Sequence, residues 1–581
     1  MINVIPKPNN ITFKKGDCFI YKDRVLLHID PELADIEKFV SKCLGVKTEK
    51  ADDESHIEFI FDDTLPEEVY TLRAEGYEAK IFAGSYSGAF YGLMTLSQLL
   101  LSDRDDSETL TCPQLIIEKD SPKYSWRGLQ LDESRHFFGK ETVKKYLDFM
   151  AMYKLNRFHW HLTDDQGWRI EIEKYPLLTE IGSYRKGSQL HAWNCPEYEE
   201  IPHFGYYTKD DIREIIAYAK ERCIEIIPEI DFPAHCASAI AAYNDLACRN
   251  IPCEVFDFCG DVLAKEKGLK NWNRPLCLGK DKTLDFVKDV VDEVADLFPF
   301  PYFHIGGDEA PTNEWKKCPD CQKRIKDNKL KNEVNLQAWF TNEINAFLKS
   351  KGKTMIGWNE VLASKSTDTD VIGQYWVSQN DKNVLRHLKN GGKIILSKHK
   401  SFYFDMAYDY CTPKETYTYE PEKSKIKKEL KKGVLGVEGE MWTEWITNED
   451  HVFFMLFNRG LALSENAWTN RKDFKDFKSR LQSHKAFMDK MGIYYGNDHI
   501  TMKKNKGLKK RQAKKYGFTV KHNDAEFRLD GIHNKNMRVK AKQALKEKKK
   551  REEYEKNAKG IDELIDSALL KAAGYILEED A

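Results

Sequence analysis

From about residue 124 to residue 497 the chain alternates short apolar runs with longer amphipathic stretches, and it does so eight times. The apolar runs are RGLQLD (127–132), RFHWHL (157–162), IEIIPEI (224–230), YFHIGG (302–307), TMIGWNE (354–360), VIGQYW (371–376), KIILS (393–397) and VLGVEGEMW (434–442). Between them, segments such as KETVKKYLDFMAMYKL, KDDIREIIAYAKER and LDFVKDVVDEVADLF carry apolar residues at helical spacing. Strands that alternate with helices predict a parallel sheet, and eight of them predict a closed α/β barrel of the (β/α)8 TIM type, here with long loop insertions. A doubly wound open sheet would require a Gly-rich phosphate turn after its first strand. Neither GxGxxG nor a GxxxxGK turn occurs.

The flanks follow other patterns. Residues 1–122 mix short β-like runs (HIEFIF, GYEAKIF) with one clear helix, SGAFYGLMTLSQLL, whose Phe90, Leu93, Leu96, Leu99 and Leu100 recur at helical spacing. This predicts a small α+β domain that ends near DSPKYSWRG, where Pro and turn residues break the pattern. The barrel domain is then expected over 123–497. Residues 498–581 are a Lys-rich, helical-looking extension (KKNKGLKKRQAKKYG, VKAKQALKEKKKREEYEK) to which the sequence assigns no function.

Composition narrows the classes. A chain of 581 residues exceeds one ordinary core, so two to three domains are expected. The formal net charge of −2 gives the whole molecule no bias toward nucleic acid or acidic membranes, and no nucleic-acid partner is expected. No apolar run approaches the ~20 residues of a membrane span, so no membrane association is expected. The start, MINVIPKPNNITFKKGD, lacks a basic segment followed by an apolar one. Thirteen scattered Cys suit reduced thiols better than a disulfide framework, and together these features favour the cytoplasm. The sequence does not set the oligomeric state, and a dimer is compatible with it.

In a (β/α)8 barrel the active site lies at the C-terminal ends of the strands. Those ends carry Asp132, Ser134, Arg135 and His136; His159, His161, Asp164 and Asp165; Glu229, Asp231 and His235; and Asp308 and Glu309. Later strands end at Trp358, Glu360, Tyr375, Trp376, Tyr403, Asp405, Glu440, Trp442 and Glu444. Carboxylates accept hydrogen bonds from vicinal hydroxyls, and indoles pack on the C–H faces of sugar rings. Packing accounts for one or two of these Trp, but not for Trp beside acids at one strand end after another.

Taken singly, several features fit plainer roles. Arg127, at a domain junction, reads on its own as the partner of a surface acid. The HWH alternation puts His159 and His161 on one strand face, resembling metal-dependent amidohydrolase barrels, but the later His, Lys and Asp ligands of such sites are missing. These two His therefore read as hydrogen-bonded packing residues. Cys318 and Cys321 form CPDC without a second CxxC or paired His at finger spacing, so they read as reduced surface thiols. No metal and no cofactor are expected. The Asp308–Glu309 pair would suit a helix N-terminus, but its place after a strand and a Gly pair favours catalysis.

With HIGGDE in view, the chain resembles glycoside hydrolase family 20, the β-N-acetylhexosaminidases. WRGLQLDESRHFF, FHWHLTDDQGWR, PEIDFPAH, GWNE, QYW, FYFDM and EMWTE agree with that family in order, and NVIPKP with SGAFYGLMTLSQLL resembles its N-terminal domain. The likeness covers roughly residues 1–495. It implies Glu309 as general acid and base, and Asp308 as the group that holds and polarises the substrate's 2-acetamido group. Tyr403 would bond the acetamido oxygen, and Trp358, Trp376 and Trp442 would wall the acetamido pocket. Arg127, Asp405 and Glu444 would bind hydroxyls of the terminal sugar, and Asp164 with His235 would form a relay to Glu309. The implied partner is a glycan with a terminal β-linked GlcNAc or GalNAc.

The adjacency of the two acids fits that reading. A retaining hydrolase that supplies its own nucleophile keeps two carboxyls ~5–5.5 Å apart on either side of the anomeric carbon. Consecutive residues do not readily straddle a sugar. If the acetamide oxygen attacks instead, one acid serves the leaving group and one anion stabilises the oxazolinium charge. Asp308 is then expected to stay ionised, and Glu309 to be raised by its neighbour and by burial. Many relatives carry a further Trp after the seventh strand, where this chain reads YDYCTPKETYTYEP, so Tyr or no aromatic stands there. The rival from another class is an inactive carbohydrate-binding protein on a degenerate barrel, against which the intact acid pair and Tyr403 argue.

Overall fold

The computed structural model describes residues 2–22, 24–51, 54–101, 109–190, 198–259, 274–378, 381–408, 410–470 and 472–496. The extension expected over 498–581 lies outside the described residues. The N-terminal domain is a seven-stranded mixed sheet. Its long outer strands, Ile11–Tyr21 and Thr109–Asp120, pair antiparallel, so the beginning and end of the domain lie side by side. Helix Tyr86–Leu101 packs on this sheet, and its Phe90, Leu93, Leu96, Leu99 and Leu100 are all buried. Three and four residues apart, these side chains form one continuous stripe, and the sheet takes it out of water.

The eight apolar runs form the eight parallel strands of a closed barrel. They are Trp126–Asp132, Arg157–His161, Glu225–Glu229, Tyr302–His304, Thr354–Trp358, Ile372–Tyr375, Ile394–Leu396 and Val434–Gly439. Closure comes from the last strand pairing with the first, Val437 opposite Arg127 and Gly439 opposite Leu129. The surrounding helices are amphipathic and capped where the sequence allows. Lys209–Lys220 starts on a capping box in which Thr208 and Asp211 satisfy each other's backbone amides. Among the described residues no helix is long and apolar enough to cross a membrane.

The barrel interior changes character along its axis. Trp126, Ile227, Ile356, Ile372 and Ile395 form an apolar cluster of their own inside the ring. Beyond it, toward the strands' C-terminal ends, lies a buried polar layer of His159, Glu229, His304, Gln374, Glu438 and Glu440. Ions inside a barrel are costly unless paired, and these are: His159 meets Glu438 at 2.8 Å and Glu229 at 3.0 Å.

Candidate active site

The acid loop begins where the fourth barrel strand ends, and it turns sharply. Gly306 and Gly307 have φ of +66° and +92°, and Glu309 itself sits at +48°. Both glycines are required by space as well as by torsion. A Cβ on Gly306 would lie 1.7 Å from Asp231 Oδ1, and one on Gly307 would lie 2.4 Å from Val361 Cγ1. The left-handed turn costs little at glycine and about 1–2 kcal/mol at other residues. The Gly307 amide donates to Asp231 Oδ1 (3.1 Å), and Gln337 donates to the Gly307 carbonyl (2.8 Å), fixing the turn from both sides.

This backbone sends the two acids into different surroundings. The Glu309 side chain keeps 55% of its exposure and Asp308 only 14%. Asp308 Oδ1 is buried and accepts no hydrogen bond from any described residue. Burial pushes the Asp308 carboxyl up to about 6, against the pull of His235, with Glu309 and Glu229 adding to the rise. The expectation that Glu309 is the buried partner is thus corrected: the turn tucks Asp308 inward and leaves Glu309 facing the opening.

His235 stands behind both acids, its Nε2 3.7 Å from Asp308 Oδ2 and 3.7 Å from Glu309 Oε2. Its Nδ1 lies 3.4 Å from both Asp164 and Asp165. Burial alone would lower this imidazole, but Asp164, Asp165 and Asp308 outweigh it and hold it well above the ordinary histidine range. Asp164 in turn accepts from His161 (3.1 Å) and forms an ion pair with Arg135 (2.7 Å). The run Arg135–Asp164–His235–acid pair is a continuous charged path.

Aromatic rings form the opposite wall. Trp358 and Trp442 lie 5.6 Å apart, Trp442 and Tyr403 6.3 Å, and Tyr403 stacks on Trp376 at 5.9 Å with 19° between planes. Two of the rings are held by their polar edges: the indole of Trp358 donates to Glu229 (2.8 Å) and that of Trp376 to Glu360 (3.0 Å). Asp405 is buried two residues beyond Tyr403, and Glu444 sits 3.9 Å from Arg135. Glu360 is pushed up to about 8 by burial and by the neighbouring Asp308.

The HWH histidines lie below this wall as a hydrogen-bonded lattice. Glu229 faces His159, His161 and His304 as well as the Trp358 indole. Burial would raise Glu229, yet the three imidazoles keep it well below the carboxylate range.

Two assignments are corrected. Arg127 opens the first strand and so sits at the opposite end of the barrel from the acids. It is fully buried and donates to Glu68 (2.7 and 3.1 Å), Tyr91, and the carbonyls of Tyr124 and Lys154. It joins the two domains and has no access to a ligand. The arginine at the mouth is Arg135, which donates to Asp132 (2.9 Å) and Gln166, pairs with Asp164 and lies over the Trp442 ring at 5.1 Å. Its signal was in the sequence: it follows the strand's C-terminal end, where Arg127 precedes its N-terminal end. Cys318 and Cys321, read as surface thiols, are buried. In the stretch after the seventh strand, Tyr408, Tyr417 and Tyr419 are buried in the core, and Tyr410 bonds His399 at 3.0 Å.

Acids set opposite a wall of aromatic rings at the C-terminal mouth of a (β/α)8 barrel are the arrangement expected of a carbohydrate site. Two family descriptions narrow this. "Glycosyl hydrolase family 20, catalytic domain" matches residues 124–471, and "Glycosyl hydrolase family 20, domain 2" matches residues 1–118. The chain belongs to glycosyl hydrolase family 20. Among curated relatives, a beta-hexosaminidase of Porphyromonas gingivalis is 36% identical over 536 residues, covering 87% of this chain and 65% of its own length. A beta-hexosaminidase of Vibrio furnissii is 35% identical, covering 69% of this chain and again 65% of its own length. The chain thus spans just under two thirds of these relatives. A solved exo beta-N-acetylglucosaminidase of Vibrio harveyi, in complex with N-acetylglucosamine, superposes with a TM-score of 0.74 at 30% identity, covering 85% of this chain and 78% of that one. An N-acetyl-beta-hexosaminidase of Streptomyces plicatus gives 0.71 at 27% identity, covering 86% and 98%.

Proposed function

We propose that the chain is an exo-acting, retaining β-N-acetylhexosaminidase that removes terminal β-linked GlcNAc or GalNAc through an oxazolinium intermediate. One observation carries the reading: Asp308 Oδ1 is buried, without a hydrogen-bond donor among the described residues, inside an aromatic wall. An unpaired buried acceptor costs about 1–3 kcal/mol or more, and an incoming amide N–H would relieve that cost. The acetamido group supplies this N–H, a methyl for the indole wall, and an oxygen able to reach the anomeric carbon.

The roles follow from position. Glu309, at the opening, protonates the glycosidic oxygen as the acetamide oxygen attacks, and then takes a proton from the water that opens the oxazolinium ring. Asp308 accepts the amide N–H and stabilises the positive charge that develops on the ring. Tyr403 donates to the acetamido oxygen, orienting it for attack; such preorganised donors contribute about 10²–10³ in rate. Trp358, Trp376 and Trp442 enclose the methyl. His235, fixed by Asp164, holds both acids in register. Arg135, Asp405 and Glu444 bind the sugar hydroxyls and close the pocket behind the ring, which supports exo action.

The test compares p-nitrophenyl β-GlcNAc and β-GalNAc with the β-glucoside, which lacks the acetamide. Turnover of the first two is expected, with inhibition by a thiazoline analogue of the cyclised intermediate, and Glu309→Gln should lower it by orders of magnitude. Comparable turnover of the glucoside, or near-wild-type activity in Glu309→Gln, sinks the assignment.

A further inference from the structure

Four cysteines with no part in the barrel mouth converge behind the acid loop. Cys248 follows the turn Asn244–Leu246, Cys277 lies four residues before helix Asp281–Leu297, and Cys318 and Cys321 flank the start of helix Pro319–Asp327. Their backbones are locked together. Ala247 bridges Leu276, the Cys277 amide donates to the Leu246 carbonyl (2.8 Å), and the Trp315 indole donates to the Leu276 carbonyl (2.9 Å). Gly279 lies so close to the second pair that a Cβ there would be 2.2 Å from the Cys321 nitrogen.

The sulfurs lie within 4.8 Å of one another, with Cys248–Cys321 at 3.8 Å, Cys277–Cys318 at 3.6 Å and Cys277–Cys321 at 3.7 Å. Disulfide sulfurs would stand ~2.05 Å apart. A tetrahedron of thiolates at ~2.3 Å from a central zinc has edges of about 3.8 Å, which is the spacing found. Cys277, Cys318 and Cys321 are buried and Cys248 is half-buried.

We propose that Cys248, Cys277, Cys318 and Cys321 bind one zinc ion as a structural site. Four thiolate ligands select a soft cation and leave no open position for chemistry. The site would tie the segment that ends the turn at Cys248, and the one that leads from Cys277 into its helix, to the far end of the acid loop. Only eight residues separate Glu309 from Cys318, and two of them are anchored: Glu314 pairs with Arg249 at 2.7 Å, and Trp315 bonds Leu276. The zinc would thus hold the loop that carries both acids without touching the sugar.

The full chain, purified under reducing conditions without a polyhistidine tag, is analysed for metals by mass spectrometry. One zinc per chain is expected. Cobalt exchanged into the site should show the ligand-field bands of tetrahedral thiolate coordination, and a mercurial that caps thiols should release the zinc stoichiometrically. Cys277→Ser/Cys321→Ser should abolish the metal and lower the melting temperature. The wild-type cobalt spectrum decides the matter even if that variant fails to fold. A chain without zinc that takes up no cobalt, a chain carrying iron in place of zinc, or zinc content unchanged in the double variant overturns the proposal. None of these readouts depends on glycosidase activity.

Discussion

Replacing Arg127 with Met separates a joint between domains from a substrate contact. The guanidinium makes five hydrogen bonds: two to Glu68, and one each to Tyr91, the Tyr124 carbonyl and the Lys154 carbonyl. It also lies over the Tyr91 and Trp468 rings at 5.5 and 5.3 Å. Methionine fills much of the volume but leaves two carbonyls without the Arg127 donor and Glu68 without its counter-charge, with only Asn156 and Tyr91, among the described residues, still donating to it. Removing one partner of a buried ion pair costs about 3–5 kcal/mol. With an unfolding entropy of ~2.1 cal/mol/K per residue over ~490 residues, that loss lowers Tm by about 3–5 °C if both domains unfold together. The N-terminal domain unfolding first, as a separate transition, would give a larger drop in that transition. Scanning calorimetry measures this, and kinetics well below the transition should show kcat and KM unchanged. Arg135→Lys is the counterpart. A lysine cannot reproduce the fork that serves Asp132, Asp164 and Gln166, and losing charge-assisted bonds of ~1.5–3 kcal/mol corresponds to a roughly 10- to 160-fold fall in kcat/KM. An Arg127→Met enzyme with native Tm and raised KM would refute the placement of these two arginines.

Two further outcomes concern the acid loop. On the proposed mechanism Asp308 must be ionised to stabilise the oxazolinium, and its carboxyl stands at about 6, so kcat/KM should fall as pH drops through that value. A profile flat through that region would contradict the role. Gly306→Ala meets both the positive φ and Asp231 Oδ1 at 1.7 Å, so the loop must shift. A displacement of ~1 Å costs up to ~10²-fold in rate, and a variant with wild-type kcat would show that the glycine is dispensable.

Most of the barrel is legible because each strand is an apolar run, and burial on both faces of a parallel sheet leaves that mark. The aromatic wall is legible for a related reason: Trp beside acids at successive strand ends exceeds what packing uses, and under the proposed function a sugar ring would take up the excess. The errors come from properties that no local pattern encodes. Arg127 and Arg135 flank the same strand, and only the strand's direction tells which one faces the mouth. Asp308 and Glu309 look equivalent as letters, but a left-handed turn decides which carboxyl is enclosed. CPDC shows half of a thiol cluster, while Cys277 and Cys248 are supplied by segments about 40 and 70 residues upstream that only the fold brings near.

The hydrogen bond from Trp358 to Glu229 has a consequence for engineering. Glu229 is shared with His159, His161 and His304, so the indole hangs from the polar interior of the barrel and cannot swing aside on its own. Enlarging the pocket for a bulkier N-acyl group by trimming Trp358 would also remove a donor from a buried carboxylate. Under the proposed function, acyl-chain selectivity would be set by a ring and an acid together, and altering it would call for a paired exchange at positions 358 and 229.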